Sequence, residues 1–284
     1  MCNRLTGSGC ALPSLSRLAA ALVKSGMFDL SLSDDGHLAR LTLRAPERLN
    51  ALRREDWRAL ADLLNQRVSP LPGLRALLIC GEGPRAFCAG GDIKEFADIR
   101  LGADAAQAYN HDVDQALRAL AAVPVPTLAR IHANCFGGGL MLALACDLRY
   151  AAAEAGFCAP PAKMGFTYNM VALERLEALV GPGVCRDLLF TARTINAAEA
   201  LSIGLVNDVS PDVAALDALL DAGLTQILAL APLSHRAHKR LLDERPEPGS
   251  LAERHLTDHL YDSEDYRQAV DAFIRRTKPE FKGQ

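Results

Sequence analysis

The chain has 284 residues, 31 Lys and Arg against 34 Asp and Glu, a formal net charge of -3, and 50% hydrophobic residues. This length and composition suit one large globular domain, and the near-neutral charge excludes the general attraction to nucleic acid or anionic lipid that clustered positive charge provides. The longest apolar stretches, such as residues 140–146, fall far short of the roughly 20 residues that span a bilayer, so we expect neither a nucleic-acid partner nor a membrane partner.

The N-terminal residues 1–27 carry basic residues and no acidic ones. Their apolar run is too short and too late for a convincing secretory signal. We interpret the segment as a leader with three possible origins. It is a disordered stretch, a transit peptide, or the result of a translation start assigned upstream of Met27.

An alternation of short apolar runs and longer helical patterns follows the leader. Short apolar runs bounded by turn residues predict strands at 37–43, 75–81, 126–133 and 148–153. Apolar residues at helical spacing, or runs rich in helix formers, predict helices at 55–67, 104–122 and 139–145. The pattern predicts an α/β core over residues 28–210.

The last part of the chain lacks strand signals. From residue 214 onward it has the pattern of successive helices, broken at Pro232 and by the RPEPGS linker at 245–250. We predict a C-terminal helical region over 211–284.

The cysteines and histidines do not predict a metal centre. The eight cysteines are scattered without a CxxC pair, and we interpret them as reduced core thiols of a cytoplasmic protein. The close pairs His235 with His238 and His255 with His259 lack the HExxH form and are interpreted as solvated helix faces, so no metal is expected.

Two glycine turns carry the chemistry. In HANCFGGGLMLALACDLRYA, residues 132–151, an apolar strand runs through three glycines into a helix, whose N-terminus presents unpaired N–H groups suited to an anion or oxyanion. The turn is neither GxGxxG nor GxxxxGK, so no nucleotide site is indicated. RAFCAGGDIKEF, residues 85–96, follows the predicted strand at 75–81 and again runs through glycine into the start of a helix. Two such turns can aim two N–H groups at one oxygen and stabilise an enolate or a tetrahedral intermediate.

The order and spacing of these segments carry a family resemblance. CAGGDIKEF and CFGGGLMLALACDLRYA, preceded by APERLNAL at 45–52, resemble the crotonase, or enoyl-CoA hydratase/isomerase, superfamily. Residues 181–209 and 261–283 are similar to its second half and its C-terminal tail. The resemblance implies a core spiral of ββα units with a C-terminal helical trimerisation region, and a homotrimer or dimer of trimers. It also implies an acyl-CoA thioester as substrate, with coenzyme A as part of it and no other cofactor.

The resemblance also implies site residues. Gly91 and Gly138 match the positions whose backbone N–H groups bind the thioester oxygen. Coenzyme A is expected along the first turn and under the C-terminal helix, where Arg48, Lys94 and Arg276 are candidates for its phosphates. The expected substrate-binding positions are Arg48, Leu49, Asp92, Ile93, Lys94, Met141, Pro161, Phe273 and Arg276, with Met141 and Pro161 lining an apolar pocket.

Two departures from the family pattern concern its acid–base residues. Hydratases of this family use two glutamates, and the matching positions here are Met141 and Pro161. Neither side chain transfers protons, although such a group typically contributes a factor of about 100 to 10,000 in rate. An oxyanion hole without carboxylates favours a substrate that generates its own enolate, as loss of CO2 from a malonyl-type thioester does.

Tyr168 is the remaining catalytic candidate. The stretch GFTYNMVALERL, residues 165–176, and the YDSEDY tail resemble methylmalonyl-CoA decarboxylase members, in which a matching tyrosine lies against the substrate carboxylate. Those relatives have a histidine at the first oxyanion turn, where this chain has Gly91. The alternative for Tyr168 is a half-buried structural tyrosine, and His132 and Asp147 have the corresponding alternative of bonding buried backbone groups.

Three functions remain open from the sequence. The first is a crotonase-type enzyme that stabilises a thioester enolate, as a decarboxylase or another lyase. The second is a hydratase or isomerase with a different base, such as Tyr168 or an acid of the helical tail. The third is a non-catalytic acyl-CoA binding protein, which has less need of a polarised carbonyl.

Overall fold

The computed structural model describes residues 18–284. Its strands are β1 Leu18–Ser25, β2 Phe28–Ser33, β3 Leu38–Leu43, β4 Ala76–Gly81, β5 Ala86–Cys88, β6 Thr127–Ile131, β7 Asn134–Phe136, β8 Leu148–Ala152, β9 Gly156–Cys158, β10 Thr194–Asn196 and β11 Asp208–Ser210. Its α-helices are α1 Arg54–Leu63, α2 Phe96–Ile99, α3 Ala103–Ala121, α4 Gly138–Ala145, α5 Pro161–Met164, α6 Met170–Thr191, α7 Ala197–Ser202, α8 Val213–Ala229, α9 Pro232–Glu244, α10 Leu251–Tyr261 and α11 Glu264–Arg275.

The strands form two sheets, and from β4 to β9 successive strands alternate between them. The larger sheet has the order β1-β2-β3-β4-β6-β8-β11, and the smaller one has the order β10-β9-β7-β5. Three successive units, which begin at β4, β6 and β8, each place one strand in the larger sheet, the next in the smaller sheet, and then continue into helix. This repetition is the predicted ββα spiral, and the strands of successive units therefore pair in parallel in both sheets.

Both faces of the larger sheet are covered. Alternate residues of β4 belong to two different cores: Leu77 and Ile79 pack in the main core, while Leu78 packs on the other face. There it meets α8, whose buried leucines recur every four residues, at Leu216, Leu220, Leu224 and Leu228. A central parallel strand that is buried on both faces is apolar throughout, which explains the run ALLIC.

The four predicted strands and the three predicted helices of the core are found within a few residues of their expected bounds. The prediction missed β2 and the three-residue strands of the smaller sheet. A three-residue strand is too short to show a period of two, so its pattern carries little signal. Disorder was one expectation for residues 1–27, but part of this segment is ordered: Leu18–Ser25 is a strand that pairs antiparallel with β2. Residues 1–17 lie outside the described part of the chain.

The C-terminal part is helical, with breaks at the expected places. The axes of α8 and α9 differ by 102° at Pro232, and residues 245–250 separate α9 from α10. Across the described residues, no single helix has the length and hydropathy needed to cross a membrane.

The described residues also show the state of the cysteines and whether any side chains are grouped to bind a metal ion. The six described cysteines, at 80, 88, 135, 146, 158 and 185, are all free and buried. Residues 18–284 contain no group of three or more His, Cys, Asp or Glu side chains placed to hold a metal ion.

Candidate active site

The two glycine turns lie side by side at one edge of the smaller sheet. β5 and β7 are parallel neighbours, and each is followed directly by a glycine turn. Because parallel strands end at the same edge, the turn at Gly90 and Gly91 meets the turn at Gly137 and Gly138. The predicted convergence of the two turns is therefore observed.

The backbone nitrogens of Gly91 and Gly138 are close together. A Cβ added to Gly138 would lie 3.3 Å from the Gly91 nitrogen, and one added to Gly90 would lie 2.7 Å from the Gly138 nitrogen. Neither of these two N–H groups donates to an acceptor within the described chain. Both residues line one cavity, so the two N–H groups are available to a bound oxygen there.

The three consecutive glycines meet three different requirements. Gly137 has φ 55° and ψ -121°, a conformation that residues with a Cβ avoid. A Cβ on Gly138 would lie 2.9 Å from Trp57 Cζ2, beside the free N–H groups. A Cβ on Gly139 would lie 2.1 Å from the Cys88 carbonyl oxygen, so that glycine allows α4 to pack against β5. The triplet serves both the site and the helix–strand packing.

Tyr168 fixes the peptide unit that carries one of these N–H groups. Its side chain is only 4% exposed, and its hydroxyl donates to the Gly137 carbonyl over 2.9 Å. That carbonyl shares a trans peptide plane with the Gly138 N–H, so the N–H points away from the phenol. The hydrogen bond orients the plane and polarises it in the direction that strengthens the N–H as a donor.

The buried phenol stays protonated. Burial raises the pKa of Tyr168 well above its ordinary value, and the nearby Cys135 and Cys158 add to the shift. A group that remains neutral at physiological pH does not serve as a base. The geometry instead supports a positioning role for Tyr168.

The cavity that holds the two glycines has a volume of about 80 Å³. Met141 and Pro161, which the sequence resemblance matches to the family's glutamate positions, both belong to its wall, as do Ile93 and Tyr168. Its lining contains no Asp, Glu, His, Lys or Cys within the described residues. The wall therefore offers no carboxylate or imidazole for proton transfer.

Three titratable side chains do line the cavity: Arg100, Tyr109 and Tyr168. Burial raises the pKa of Tyr109 to about 12, although its hydroxyl accepts a 3.3 Å hydrogen bond from Trp57 Nε1. Burial also lowers the pKa of Arg100, a residue that the sequence analysis did not single out. The segment around Arg100 has a weak pattern, and only its contacts reveal its place.

Asn50 is a second residue that the sequence analysis missed. It is fully buried, and its amide donates to the carbonyls of Glu82, Ala86 and Phe87 at 2.9, 3.0 and 3.2 Å. Its Oδ1 accepts from the Ala45 N–H at 3.0 Å. Asn50 therefore holds the 45–52 loop against β5, the strand that leads into the first glycine turn.

The predicted coenzyme A residues on the first turn are only partly placed at the cavity. Ile93 lines it and is 55% exposed, while Lys94 lies on the surface. Arg48 is held by Asp56 at 2.9 Å and by the Ala51 carbonyl at 2.9 Å.

The other predicted contacts lie away from the cavity wall. Leu49 and Asp92 are partly exposed beside the first turn, and Asp92 caps the short helix after it. Phe273, which is 86% exposed, and Arg276 lie at the end of α11. The fold of one chain does not bring these two residues to the cavity.

His132 and Asp147 bond backbone groups. His132 Nε2 lies 2.7 Å from the Gly83 carbonyl, and burial lowers its pKa. Asp147 accepts from the Thr127 N–H at 2.8 Å and pairs with Lys239 at 2.7 Å. These contacts match the structural alternative considered for both residues.

The chain is similar to a known protein family over nearly its whole length. The family model described as enoyl-CoA hydratase/isomerase matches residues 34–284. A probable enoyl-CoA hydratase of Mycobacterium bovis is 33% identical over 253 residues, which are 87% of this chain and 95% of the relative.

This chain belongs to the enoyl-CoA hydratase/isomerase family.

Another relative and a solved structure also match nearly the whole chain. The crotonyl-CoA hydratase of Syntrophomonas wolfei is 31% identical over 258 residues, 89% of this chain and 97% of that protein. The crystal structure of an enoyl-CoA hydratase/carnithine racemase from Magnetospirillum magneticum superposes with a TM-score of 0.86 at 32% identity, covering 95% of this chain and 99% of that one. The predicted crotonase fold is confirmed, and acyl-CoA chemistry is the activity of the family.

Proposed function

We propose that this family member stabilises the enolate of an acyl-CoA thioester between the N–H groups of Gly91 and Gly138, without a carboxylate acid–base pair. One observation carries the proposal: two unpaired N–H groups converge on a cavity whose described wall contains no carboxylate or imidazole. Such donors act where negative charge develops, and one of them typically contributes about 3 to 4 kcal/mol to the transition state.

The reaction that suits this cavity is loss of CO2 or another lyase step. In a decarboxylation the bond between Cα and the carboxylate breaks, and its electron pair becomes the enolate, whose oxygen lies between the two N–H groups. CO2 leaves, and a solvent proton is delivered to Cα. The step needs no protein base, which agrees with Met141 and Pro161 in the wall. Coenzyme A enters only as part of the substrate, and no other cofactor is required.

The proposal also includes how the subunits assemble and where in the cell the protein acts. Large apolar side chains are exposed on the C-terminal helices, among them Leu251, Phe273 and Ile274. They support a homotrimer or dimer of trimers, in which Phe273 and Arg276 meet the coenzyme A of a neighbouring subunit. The buried free thiols support a cytoplasmic protein.

A second candidate is a hydratase or isomerase with a different base. It is favoured by the names of the relatives and by Asp114, which accepts a short hydrogen bond from Asn169 at the cavity wall. Burial raises the pKa of Asp114, although Arg118 and His111 lower it in part. A carboxyl with a raised pKa is suited to proton transfer, but here it lies behind Asn169.

A panel of thioesters tests the proposal. The wild-type protein is incubated with malonyl-, methylmalonyl-, glutaconyl- and short and medium 2-enoyl-CoA, and products are identified by mass spectrometry. We expect loss of CO2 from a carboxylated thioester and no hydration of the enoyl species. A gain of water that Asp114→Asn abolishes would establish the second candidate. Tight binding with every thioester unchanged would identify a non-catalytic binding protein.

Tyr168→Phe separates positioning from proton donation. Because the phenol bonds the Gly137 carbonyl, its removal should lower kcat by about tenfold or less and the free energy of unfolding by about 1 kcal/mol. The pH profile of kcat should keep its shape. A proton donor would instead lose a factor of about 100 to 10,000. Steady-state kinetics on the thioester found in the panel, together with urea denaturation, decide between the two roles.

A further inference from the structure

Arg100 lies in an aromatic cage beside the oxyanion hole. Its Cζ is 4.7 Å from the ring centroid of Phe96, 4.7 Å from that of Tyr109 and 4.2 Å from that of Phe166. All three rings line the cavity that contains Gly91. Two of them also contact that turn, since a Cβ on Gly91 would lie 2.8 Å from Tyr109 Oη and 3.1 Å from Phe96 Cζ. The rings of Phe96 and Tyr109 therefore lie between the guanidinium and the Gly91 turn.

The hydrogen-bonding capacity of this guanidinium is largely unused. Arg100 Nη2 donates to Asn110 Oδ1 at 2.8 Å, and none of its other donors meets an acceptor in the described chain. A guanidinium has five N–H donors. Asn110 lines the same cavity and has its own amide N–H groups. Several donors are thus available at one end of the cavity.

The charge of Arg100 is also not balanced. Three other partly buried arginines pair with carboxylates: Arg48 with Asp56, Arg54 with Asp112, and Arg130 with Asp217. The buried Arg149 donates instead to several backbone carbonyls. Among the described residues, no acidic side chain lies within ion-pair distance of Arg100, and none lines the cavity. Cation–π contacts with the aromatic rings offset part of the desolvation free energy of the partly buried guanidinium. A bound anion would offset the remainder through charge-assisted hydrogen bonds.

We propose that Arg100, with Asn110, binds a carboxylate on the acyl chain, so that the substrate is a coenzyme A thioester whose acyl group carries a carboxylate distinct from any that leaves as CO2. The inference rests on the proposed function, because it places the thioester oxygen between Gly91 and Gly138. A planar guanidinium matches a carboxylate with two parallel hydrogen bonds. A carboxylate that remains on the product benefits most, since a scissile one loses the pairing as it leaves.

Binding of chain-length pairs tests the assignment. Isothermal titration compares glutaryl-CoA with valeryl-CoA, and succinyl-CoA with butyryl-CoA; none of these saturated thioesters can lose CO2 by forming an enolate. Each is titrated into the wild type, Arg100→Gln, Arg100→Lys and the control Arg186→Gln, whose exposed arginine lies on α6 away from the cavity. The wild type and the control should bind at least one diacid thioester tenfold or more tightly than its monoacid partner. This preference should fall to within twofold in Arg100→Gln and to an intermediate value in Arg100→Lys.

Each contrary result has its own meaning. Equal binding of diacid and monoacid thioesters by the wild type overturns the role of Arg100 and leaves the proposed function intact. A diacid preference that survives in Arg100→Gln also overturns it. Equal weakening of both members of a pair in Arg100→Gln places the arginine on a coenzyme A phosphate instead. Failure of the wild type to bind any of the four thioesters also overturns the role of Arg100, while the thioester panel alone decides the proposed function.

Discussion

Gly138→Pro should lower kcat by about 100- to 1,000-fold relative to Gly138→Ala, because it removes one of the two N–H donors. Proline is accepted at the first position of a helix, where Gly138 lies in α4. The preceding Gly137, at φ 55° and ψ -121°, has the mirror image of the extended conformation that precedes proline, and it has no Cβ to clash. The measurement is steady-state kinetics on the thioester that the panel identifies.

Gly138→Ala is the matched control for this substitution. Both variants introduce a Cβ 2.9 Å from Trp57 Cζ2, but only the alanine keeps the N–H. The difference between the two therefore reports the donor rather than the contact with Trp57. Equal kcat values in the two variants would mean that the Gly138 N–H does not bind the reacting oxygen, and the proposed hole would then be wrong.

Gly139→Ala should lower the free energy of unfolding by about 3 kcal/mol, the upper part of the range for overpacked cores. The added Cβ would lie 2.1 Å from the Cys88 carbonyl oxygen and 2.8 Å from Cys88 Cβ. The first contact is with backbone, so α4 must move away from β5. Urea denaturation measures the loss, and reduced kcat in the surviving folded fraction is expected because α4 carries Gly138.

Gly223→Ala provides the matched control for stability. Gly223 lies inside α8, and no heavy atom is within 4 Å of its added Cβ. The same substitution should stabilise the protein there by about 0.5 to 1 kcal/mol, because alanine has the higher helix propensity. If both variants changed stability by the same amount, the close approach of α4 to β5 would not be the reason for Gly139.

The regular part of the fold was predictable because its signals are local. The short apolar run at 75–81 predicts a strand, and the structure has β4 there, buried on both faces. Pro232 and residues 245–250 predict helix breaks, and α8, α9 and α10 are separated there. The leader was less predictable, since β1 forms by pairing with β2 rather than by a pattern of its own.

The candidate site was predictable only where backbone alone forms it. The two glycine turns identify Gly91 and Gly138, because a glycine run between strand and helix is visible in the sequence. Side-chain roles were harder to predict. The phenol of Tyr168 bonds a carbonyl 31 residues away, and Arg100, the proposed carboxylate-binding residue, contacts Phe166 from a distant segment. Phe273 and Arg276 matched by resemblance but lie outside the cavity of one chain.

By itself the sequence determined the types of the longer elements, the two glycine turns, and the presence of Met141 and Pro161 where the resemblance leads one to expect glutamates. These are properties of residue identity and short-range periodicity. Only the tertiary structure decided that the two unpaired N–H groups face one cavity, that Tyr168 orients one of them, and that a guanidinium without a carboxylate partner lies beside them. Such contacts join segments far apart in the chain, and their geometry depends on how the two sheets pack around the core.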